Sequence, residues 1–140
     1  MIRDLYEGIY KLIVSTDHSL FINCGGSEEI FENNRYEADS TGHGPSSFIS
    51  ESQKWAYSSI GVYLGNNDNA QFIATNSFNV IDGEIYKTAS LAPQSLKYYG
   101  LCMMQGSYKV RLHFAEIMYT NDQTFSSLGR RIFDVSIQVS

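Results

Sequence analysis

Apolar and polar residues alternate most regularly in two stretches near the end of the chain. In Tyr108–Glu116 the large apolar side chains occupy every second position, and mostly charged side chains fill the positions between them. The stretch Arg131–Val139 has the same alternation. A period of two residues is typical of a β-strand with one face on a core. We therefore predict two antiparallel strands joined by a polar connection.

Shorter apolar runs, separated by turn residues, recur through the rest of the chain. We predict further strands in four places: Leu20–Cys24, Trp55–Leu64 with a break at Gly61, Phe72–Thr75 and Leu96–Met104. Residues 27–52 are rich in Gly, Ser, Asn and acidic residues, which predicts a loop with brief strand character near Tyr36. No convincing amphipathic helix follows residue 20. The pattern therefore indicates an all-β sandwich or jelly roll.

Glycines at two turns refine this interpretation. Gly25-Gly26 follows a predicted strand, so we expect a bend there that needs a positive φ or a close neighbour. Asp82-Gly83 lies between two short apolar pairs, Val80-Ile81 and Ile85-Tyr86, and predicts a tight hairpin turn.

Size and charge limit the possible functions. The chain has 140 residues and 43% hydrophobic residues, enough for one domain with its own core. The formal net charge of -5 argues against a nucleic-acid partner and against contact with an anionic membrane surface. We find no signal-peptide pattern and no segment long enough to span a membrane. The protein is therefore either intracellular or a piece of a longer chain whose export signal lies elsewhere.

Catalytic and cofactor-binding patterns are weak. Glu116 with Asp122 or Asp134 would supply a glycosidase-like carboxylate pair, but carboxylates beside arginines usually form structural ion pairs. The three histidines do not cluster with each other or with the cysteines, so no metal site is predicted. No phosphate-binding loop is present. We predict a protein that is not an enzyme and needs no cofactor.

Tyrosines in or near predicted loops favour a binding function. Aromatic rings stack on the apolar face of a sugar, while Asn and Asp side chains accept its hydroxyl groups. The alternative is that most of these tyrosines are half-buried supports of the fold. The residues are Tyr36, Tyr57, Tyr63, Tyr98, Tyr99 and Tyr119.

Five motifs in order carry a resemblance to a known family. They are Leu-Phe-Ile-Asn-Cys-Gly-Gly from Leu20, Trp-Ala-Tyr-Ser-Ser from Trp55, Ser-Leu-Lys-Tyr-Tyr-Gly-Leu-Cys from Ser95, Tyr-Lys-Val-Arg-Leu-His-Phe-Ala-Glu-Ile from Tyr108 and Ser-Leu-Gly-Arg-Arg-Ile-Phe-Asp-Val from Ser127. Together they resemble the malectin domain found outside the membrane in plant leucine-rich-repeat receptor-like kinases. The resemblance implies a lead-in over residues 1–18 and a galactose-binding-like β-sandwich over 19–140, truncated before the family's last strands.

The same resemblance implies a function and a set of contacts. It implies an extracellular, non-catalytic module of a receptor that binds a carbohydrate such as a cell-wall saccharide. In this resemblance, Met118 and Leu91 stand at positions where the malectins of animals have aromatic residues. This favours the alternative, a module that contacts other receptor ectodomains without binding sugar. The expected sugar contacts are Tyr119, Tyr57, Tyr98, Tyr99, Asn121 and Asp122.

The two cysteines complete the expectations. Cys24 and Cys102 end or flank strands in the matched motifs, and the implied compartment is oxidising. We therefore expect that the two cysteines form a disulfide or at least touch.

Overall fold

Short strands make up most of the regular structure. A computed structural model describes residues 18–40, 43–50, 53–63, 72–75, 83–118 and 132–137. These residues contain a 3-10 turn at Glu84–Tyr86 but no α-helix, which confirms the all-β prediction. Their strands are β1 (Ile22–Cys24), β2 (Glu29–Phe31), β3 (Asn34–Asp39), β4 (Phe48–Ile49), β5 (Trp55–Ile60), β6 (Ile73–Thr75), β7 (Thr88–Ser90) and β8 (Ser95–Gly100).

The strands form three small sheets. The first has the order β1-β3-β2, in which β1 and β3 run parallel and β2 and β3 antiparallel. The second has the order β4-β5-β8 and is antiparallel throughout. The third is the antiparallel pair β6-β7. The predicted strands at Leu20–Cys24, Trp55–Leu64, Phe72–Thr75 and Leu96–Met104 correspond to β1, β5, β6 and β8.

Strands β2 and β3 form a hairpin that the sequence pattern did not predict. Its two-residue turn is Glu32-Asn33, and both residues have positive φ, 49° and 63°. Two successive positive φ values match the right-handed twist of the flanking strands. The region predicted as loop therefore contains six residues of β3 and the short strands β2 and β4.

The central strand β5 divides the second sheet into an inner and an outer face. Trp55, Tyr57 and Ser59 are buried on the inner face. Towards them, β3 of the first sheet presents Glu37, which accepts a hydrogen bond from Trp55 Nε1 at 2.9 Å, and Asp39. The two sheets therefore pack through alternate residues of β3 and β5, as expected for a sandwich.

The glycines after β1 behave as the sequence predicts. Gly25 has φ +77°, and a Cβ atom there would lie 2.8 Å from the main chain of Ala89 and Ser90. A Cβ atom at Gly26 would lie 2.4 Å from Asn23 Nδ2. Both distances are too short for a side chain, so the bend lets β1 approach β7 closely.

The alternation in Tyr108–Glu116 does not correspond to a sheet strand, so that prediction is wrong for the described residues. No residue of 107–118 is assigned to a strand. The face directed inward is also reversed, because His113 is half-buried and Ile117 is buried whereas Leu112 and Phe114 are exposed. The physical reason is that a polar contact holds His113 on the packed side, where Tyr86 Oη lies 2.8 Å from His113 Nδ1. Arg111 pairs with Glu32 at 2.9 Å in an exposed ion pair.

Two other strand predictions are also wrong. Residues 132–137 are exposed and belong to no strand, although Phe133 contacts Phe114 with ring centroids 5.2 Å apart. Ile85 and Tyr86 lie in the 3-10 turn and not in the second strand of a hairpin, because Tyr86 and Lys87 donate main-chain hydrogen bonds back to Gly83 and Glu84. Of the predicted lead-in over residues 1–18, residues 1–17 lie outside the described residues. None of the described helical segments is long and apolar enough to cross a membrane.

Candidate functional site

Three of the predicted sugar-contacting tyrosines lie in the second sheet, with very different exposure. Tyr57 of β5 pairs with Tyr98 of β8 on the inner face, and their ring centroids are 5.4 Å apart. Tyr57 has 0% of its surface exposed, so in this structure its ring supports the core and offers no surface to a ligand. Tyr99 pairs with Ala56 on the outer face and is 42% exposed. Of these three tyrosines, Tyr99 is exposed, Tyr98 is half-buried and Tyr57 is buried.

The remaining predicted contacts lie outside the described residues. These contacts are Tyr119, Asn121 and Asp122. The two positions noted for lacking family aromatics are described: Met118 and Leu91 are both half-buried. The expectation that these two residues, in place of aromatic ones, weaken sugar binding stays a prediction.

A buried carboxylate, that of Asp39, is hydrogen-bonded to Tyr98 and to three other residues. Asp39 ends β3 and is 3% exposed. Its Oδ2 accepts hydrogen bonds from the hydroxyl of Tyr98, from Ser90 Oγ at 3.2 Å and from the main-chain N–H of Gly25 at 3.3 Å. His43 Nε2 donates to Asp39 Oδ1 at 3.2 Å and to its main-chain oxygen at 2.9 Å. This carboxylate therefore joins strands of all three sheets.

The environment of Asp39 suppresses ionisation of its neighbours. Burial, followed by the charges of Cys24 and Asp39, raises the pKa of Tyr98 far above its usual value. Burial is also the main reason why the pKa of Cys24 rises to about 11. Tyr98 therefore acts as a neutral hydrogen-bond donor, and Cys24 is a protonated thiol with little nucleophilic character.

The expected disulfide is not formed. Both cysteines are free thiols. The Sγ atom of Cys24 lies 3.9 Å from the carbonyl oxygen of Ile22 inside β1, whereas Cys102 is exposed after β8 with φ 55°. The two thiols therefore sit in different environments, one packed against the Asp39 cluster and the other facing solvent.

A polar groove lies along the junction of β1, β3 and β5. We call it the β3 groove, and its volume is about 650 Å³. Phe21, Ile49 and Trp55 give it an apolar part, and charged and amide side chains give it a polar part. Its polar side chains include Glu28, Asn33, Asn34, Arg35, Glu37 and Lys54.

The charges of the β3 groove are arranged in pairs. Arg35 forms an ion pair with Glu28, and Lys54 Nζ lies 3.5 Å from Glu37 Oε1. The other oxygen of Glu37 accepts the indole N–H of Trp55 at 2.9 Å. The Glu37 carboxylate is therefore fixed at the groove and is partly accessible, with 29% of its side chain exposed.

Metal binding finds no support in the described part of the chain. Among those residues, no group of three or more His, Cys, Asp and Glu side chains is placed to hold a metal ion. The predicted carboxylate pair of Glu116 with Asp122 lies partly outside the described residues. Asp134 is exposed, and Glu116 accepts a hydrogen bond from the main-chain N–H of Met118 at 2.9 Å.

Sequence reasoning missed both Asp39 and the β3 groove. Glu37 and Asp39 occupy alternate positions beside Tyr36, and this spacing was the available signal that they share one face of a strand. Their partners Trp55 and Tyr98 lie on β5 and β8, which belong to the second sheet, whereas Glu37 and Asp39 lie on β3 of the first. No local pattern connects these four residues, so the site emerges only with the topology.

Comparison with known proteins identifies the family. Residues 18–140 match the family described as the Malectin domain. Two probable LRR receptor-like serine/threonine-protein kinases of Arabidopsis thaliana are 59% and 58% identical over 137 and 123 residues, which cover 96% and 86% of this chain. A third, also from Arabidopsis thaliana, is 39% identical over 131 residues covering 86% of the chain. No solved structure matches the chain.

The matched region is a small part of these relatives. The chain spans 13%, 12% and 13% of the three relatives' own length. The family match covers the strands, the Asp39 cluster and the β3 groove, and it confirms the resemblance expected from the five sequence motifs. The chain belongs to the Malectin domain family.

Proposed function

We propose that this chain is a non-catalytic carbohydrate-recognition domain of a plant receptor-like kinase and works on the extracellular side of the plasma membrane. The observation that carries the proposal is the Malectin match over residues 18–140, together with relatives named as receptor-like kinases. The chain itself corresponds to a small part of such a receptor. Kinase activity would belong to another part of the parent protein.

Tyr99 is the described residue that best fits sugar stacking. Tyr99 lies on the outer face of β8 and is 42% exposed, and Ser58 of β5, which is half-buried, lies on the same face of the sheet. Phe48 pairs with Ser58 and is also exposed on this outer face. Two exposed aromatic rings on one face of a sheet form a surface that a pyranose can lie against. Tyr119, Asn121 and Asp122 are proposed to extend the contacts.

The test is glycan binding by the full chain. A panel of neutral and acidic plant saccharides should contain a ligand with a dissociation constant in the micromolar to millimolar range, measured by titration calorimetry or NMR. Tyr99→Ala should weaken binding by about fivefold, because stacking of one ring contributes on the order of 1 kcal/mol. Tyr108→Ala is the matched control, since Tyr108 is 41% exposed but lies outside this face. Absence of binding to every saccharide would refute carbohydrate recognition.

A protein-interaction module is the second candidate. It is favoured by the exposed apolar side chains that alternate along 108–114 and by Met118 and Leu91 at positions where aromatic contacts were expected. Such surfaces are typical of contacts with other proteins. Association of the chain with another receptor ectodomain, abolished by Leu112→Asp and unaffected by Tyr99→Ala, would support this candidate if no saccharide binds.

A further inference from the structure

Strand β8 has the longest open edge among the described strands. It contains six residues and ends the sheet order β4-β5-β8, so β5 pairs with one edge of β8 and no described strand pairs with the other. The other six-residue strands, β3 and β5, each lie between two neighbours. The remaining described strands have only two or three residues. Because short edge strands are poor templates for pairing, β8 is the edge to which another strand can add.

The main chain of β8 directs half of its hydrogen-bonding groups to this open edge. In an antiparallel sheet, successive residues of a strand direct these groups alternately to one side and to the other. Leu101 donates its main-chain N–H to Lys54 O at 2.6 Å, which directs the odd-numbered residues of β8 to β5. The bond from Ser59 N–H to Ser47 O at 2.8 Å agrees, because it directs the odd-numbered residues of β5 to β4. The groups that point to the open edge are therefore those of Leu96, Tyr98 and Gly100.

The side chains of β8 leave this edge accessible and restrict how it can pair. Leu96, Lys97, Tyr99 and Gly100 are exposed, and Lys97 is the charged residue of the strand. Lys97 and Tyr99 are both on the outer face, at alternate positions. A lysine on an edge strand opposes pairing wherever it meets a like charge. It therefore excludes some registers and permits others.

A second copy of β8 fits this edge in one register. With the two strands antiparallel about a two-fold axis at Tyr98, Leu96 pairs with Gly100 of the second copy, and Lys97 lies opposite Tyr99 of the second copy. The latter pair is not hydrogen-bonded through the main chain, so its side chains come close, and an ammonium group beside an aromatic ring is attracted to it. The symmetry forms this contact twice.

The neighbouring registers are worse. A shift of two residues in one direction sets Lys97 opposite Lys97 of the second copy, which charge repulsion disfavours. A shift of two residues in the other direction pairs only residues 98–100 and leaves Lys97 without an aromatic partner. The charge of Lys97 thus selects the register centred on Tyr98.

We propose that this domain forms a symmetric homodimer by antiparallel pairing of β8 with β8 of a second copy, with Lys97 of each copy against Tyr99 of the other. The two sheets then form one continuous sheet of the order β4-β5-β8-β8-β5-β4, and both Tyr99 rings remain on its outer face. The dimer is closed, because each copy uses its β8 edge once. The proposal goes beyond carbohydrate recognition and does not depend on it.

Sedimentation equilibrium of the full chain, between about 10 μM and about 1 mM, measures the dimer. A contact of one short strand pair is small, so we expect a dissociation constant on the order of 100 μM. Lys97→Ala should raise it about tenfold, equivalent to about 1.4 kcal/mol, because two contacts with Tyr99 are lost. Lys109→Ala is the matched control, since Lys109 is an exposed lysine outside β8, and it should leave the dissociation constant unchanged.

Disulfide trapping tests the register. The background is Cys102→Ser, because Cys102 is an exposed free thiol. Chains with Lys97→Cys are mixed with chains with Tyr99→Cys in oxidised glutathione. Opposed residues of such a pair have Cα atoms about 4.5 Å apart, which a disulfide can bridge, so the mixture should give crosslinked dimers. Either variant alone should crosslink poorly, because its two cysteines are then diagonal neighbours about 7–8 Å apart.

A proline on the open edge tests the main-chain bonds. Leu96→Pro removes an N–H that points to this edge and leaves the bonds to β5 in place, so the dimer should be lost. If Leu96→Pro fails to fold, Lys97→Ala and the cysteine pair still test the interface.

Four outcomes would overturn the inference. The first is a chain that stays monomeric at 1 mM; saccharide binding by this monomer would leave the proposed function intact. The second is an oligomer larger than a dimer, which β8 pairing does not produce. The third is self-crosslinking of Lys97→Cys as efficient as that of the mixture. The fourth is a dimer that is lost with Leu112→Asp and keeps full affinity with Lys97→Ala, which would place the interface on residues 108–114.

Discussion

Replacing Asp39 is the most direct test of how the three sheets are held together. In Asp39→Ala, Tyr98 and Ser90 can still bond to each other, since their oxygens lie 3.0 Å apart. His43 Nε2 keeps its hydrogen bond of 2.9 Å to the main-chain oxygen of residue 39. The N–H of Gly25 and one of the two hydroxyl groups then lose their acceptor in a buried region.

The expected loss of stability follows from these two buried donors that have lost their acceptor. An unsatisfied buried donor costs about 1–3 kcal/mol, so Asp39→Ala should lower the free energy of unfolding by about 4 kcal/mol. That is a large fraction of the roughly 5–15 kcal/mol that stabilises a typical domain. Asp39→Asn keeps one oxygen for Tyr98, Ser90 and Gly25 but turns an N–H towards His43, so it should cost about 2 kcal/mol.

Urea unfolding followed by Trp55 fluorescence measures both variants. Trp55 is 6% exposed, so its emission should shift to longer wavelength on unfolding. The control is Asp134→Ala, at an exposed position, which should change the free energy by less than about 0.5 kcal/mol. The reasoning fails if Asp39→Ala costs less than 1 kcal/mol at an unchanged denaturant slope, or if Asp39→Asn and Asp39→Ala are equal.

Four further predictions test local features. A thiol reagent at pH 8 should modify Cys102 quickly and Cys24 only on unfolding; a rate equal at both sites would contradict the burial of Cys24. The pKa of Cys24 is raised from 9.0 to about 11 in the folded protein, so its neutral thiol contributes stability that is fully present below pH 9. This stability is lost as the pH rises to 11, by up to about 3 kcal/mol. In Cys24→Ala, the decrease of the free energy of unfolding between pH 9 and pH 11 should be smaller. Gly25→Ala should destabilise the protein by at least about 2 kcal/mol, since its Cβ would lie 2.8 Å from Ala89; a normal thermal midpoint would refute the close approach. Asn33→Val should cost about 1–2 kcal/mol at φ 63° while Asn33→Gly should be nearly neutral, and equal thermal midpoints would contradict the turn geometry.

Local sequence patterns predicted the strands that consist of an apolar run ended by a glycine. An apolar run ending at Gly25-Gly26 gave β1, and the run from Trp55 to the break at Gly61 gave β5. The hairpin of β2 and β3 was missed because its turn, Glu32-Asn33, lacks glycine and still adopts positive φ. A charged residue in that conformation has no sequence signature strong enough to mark a turn.

The stretch Tyr108–Glu116 shows what alternation leaves undetermined. The period of two is a property of the extended backbone, whereas the choice of inward face depends on the neighbouring layer. Here His113 and Ile117 are directed to the packed side through contacts with residues distant in sequence, such as Tyr86. The same limit applies to the tyrosines. Tyr98 and Tyr99 are adjacent in β8, yet one hydroxyl is bound to Asp39 and the other ring faces outward.

The Asp39 cluster also has a consequence for the order in which the protein folds. Its partners Gly25, Ser90 and Tyr98 lie 14, 51 and 59 residues away along the chain. A partly folded state that buries this carboxylate before β7 and β8 arrive would carry an uncompensated charge in a dry environment. Such intermediates are disfavoured, so the sheets should form in one cooperative step. The rate of this step should be limited by the closure of long loops. In a larger receptor, this domain would then unfold and refold as a single all-or-none unit.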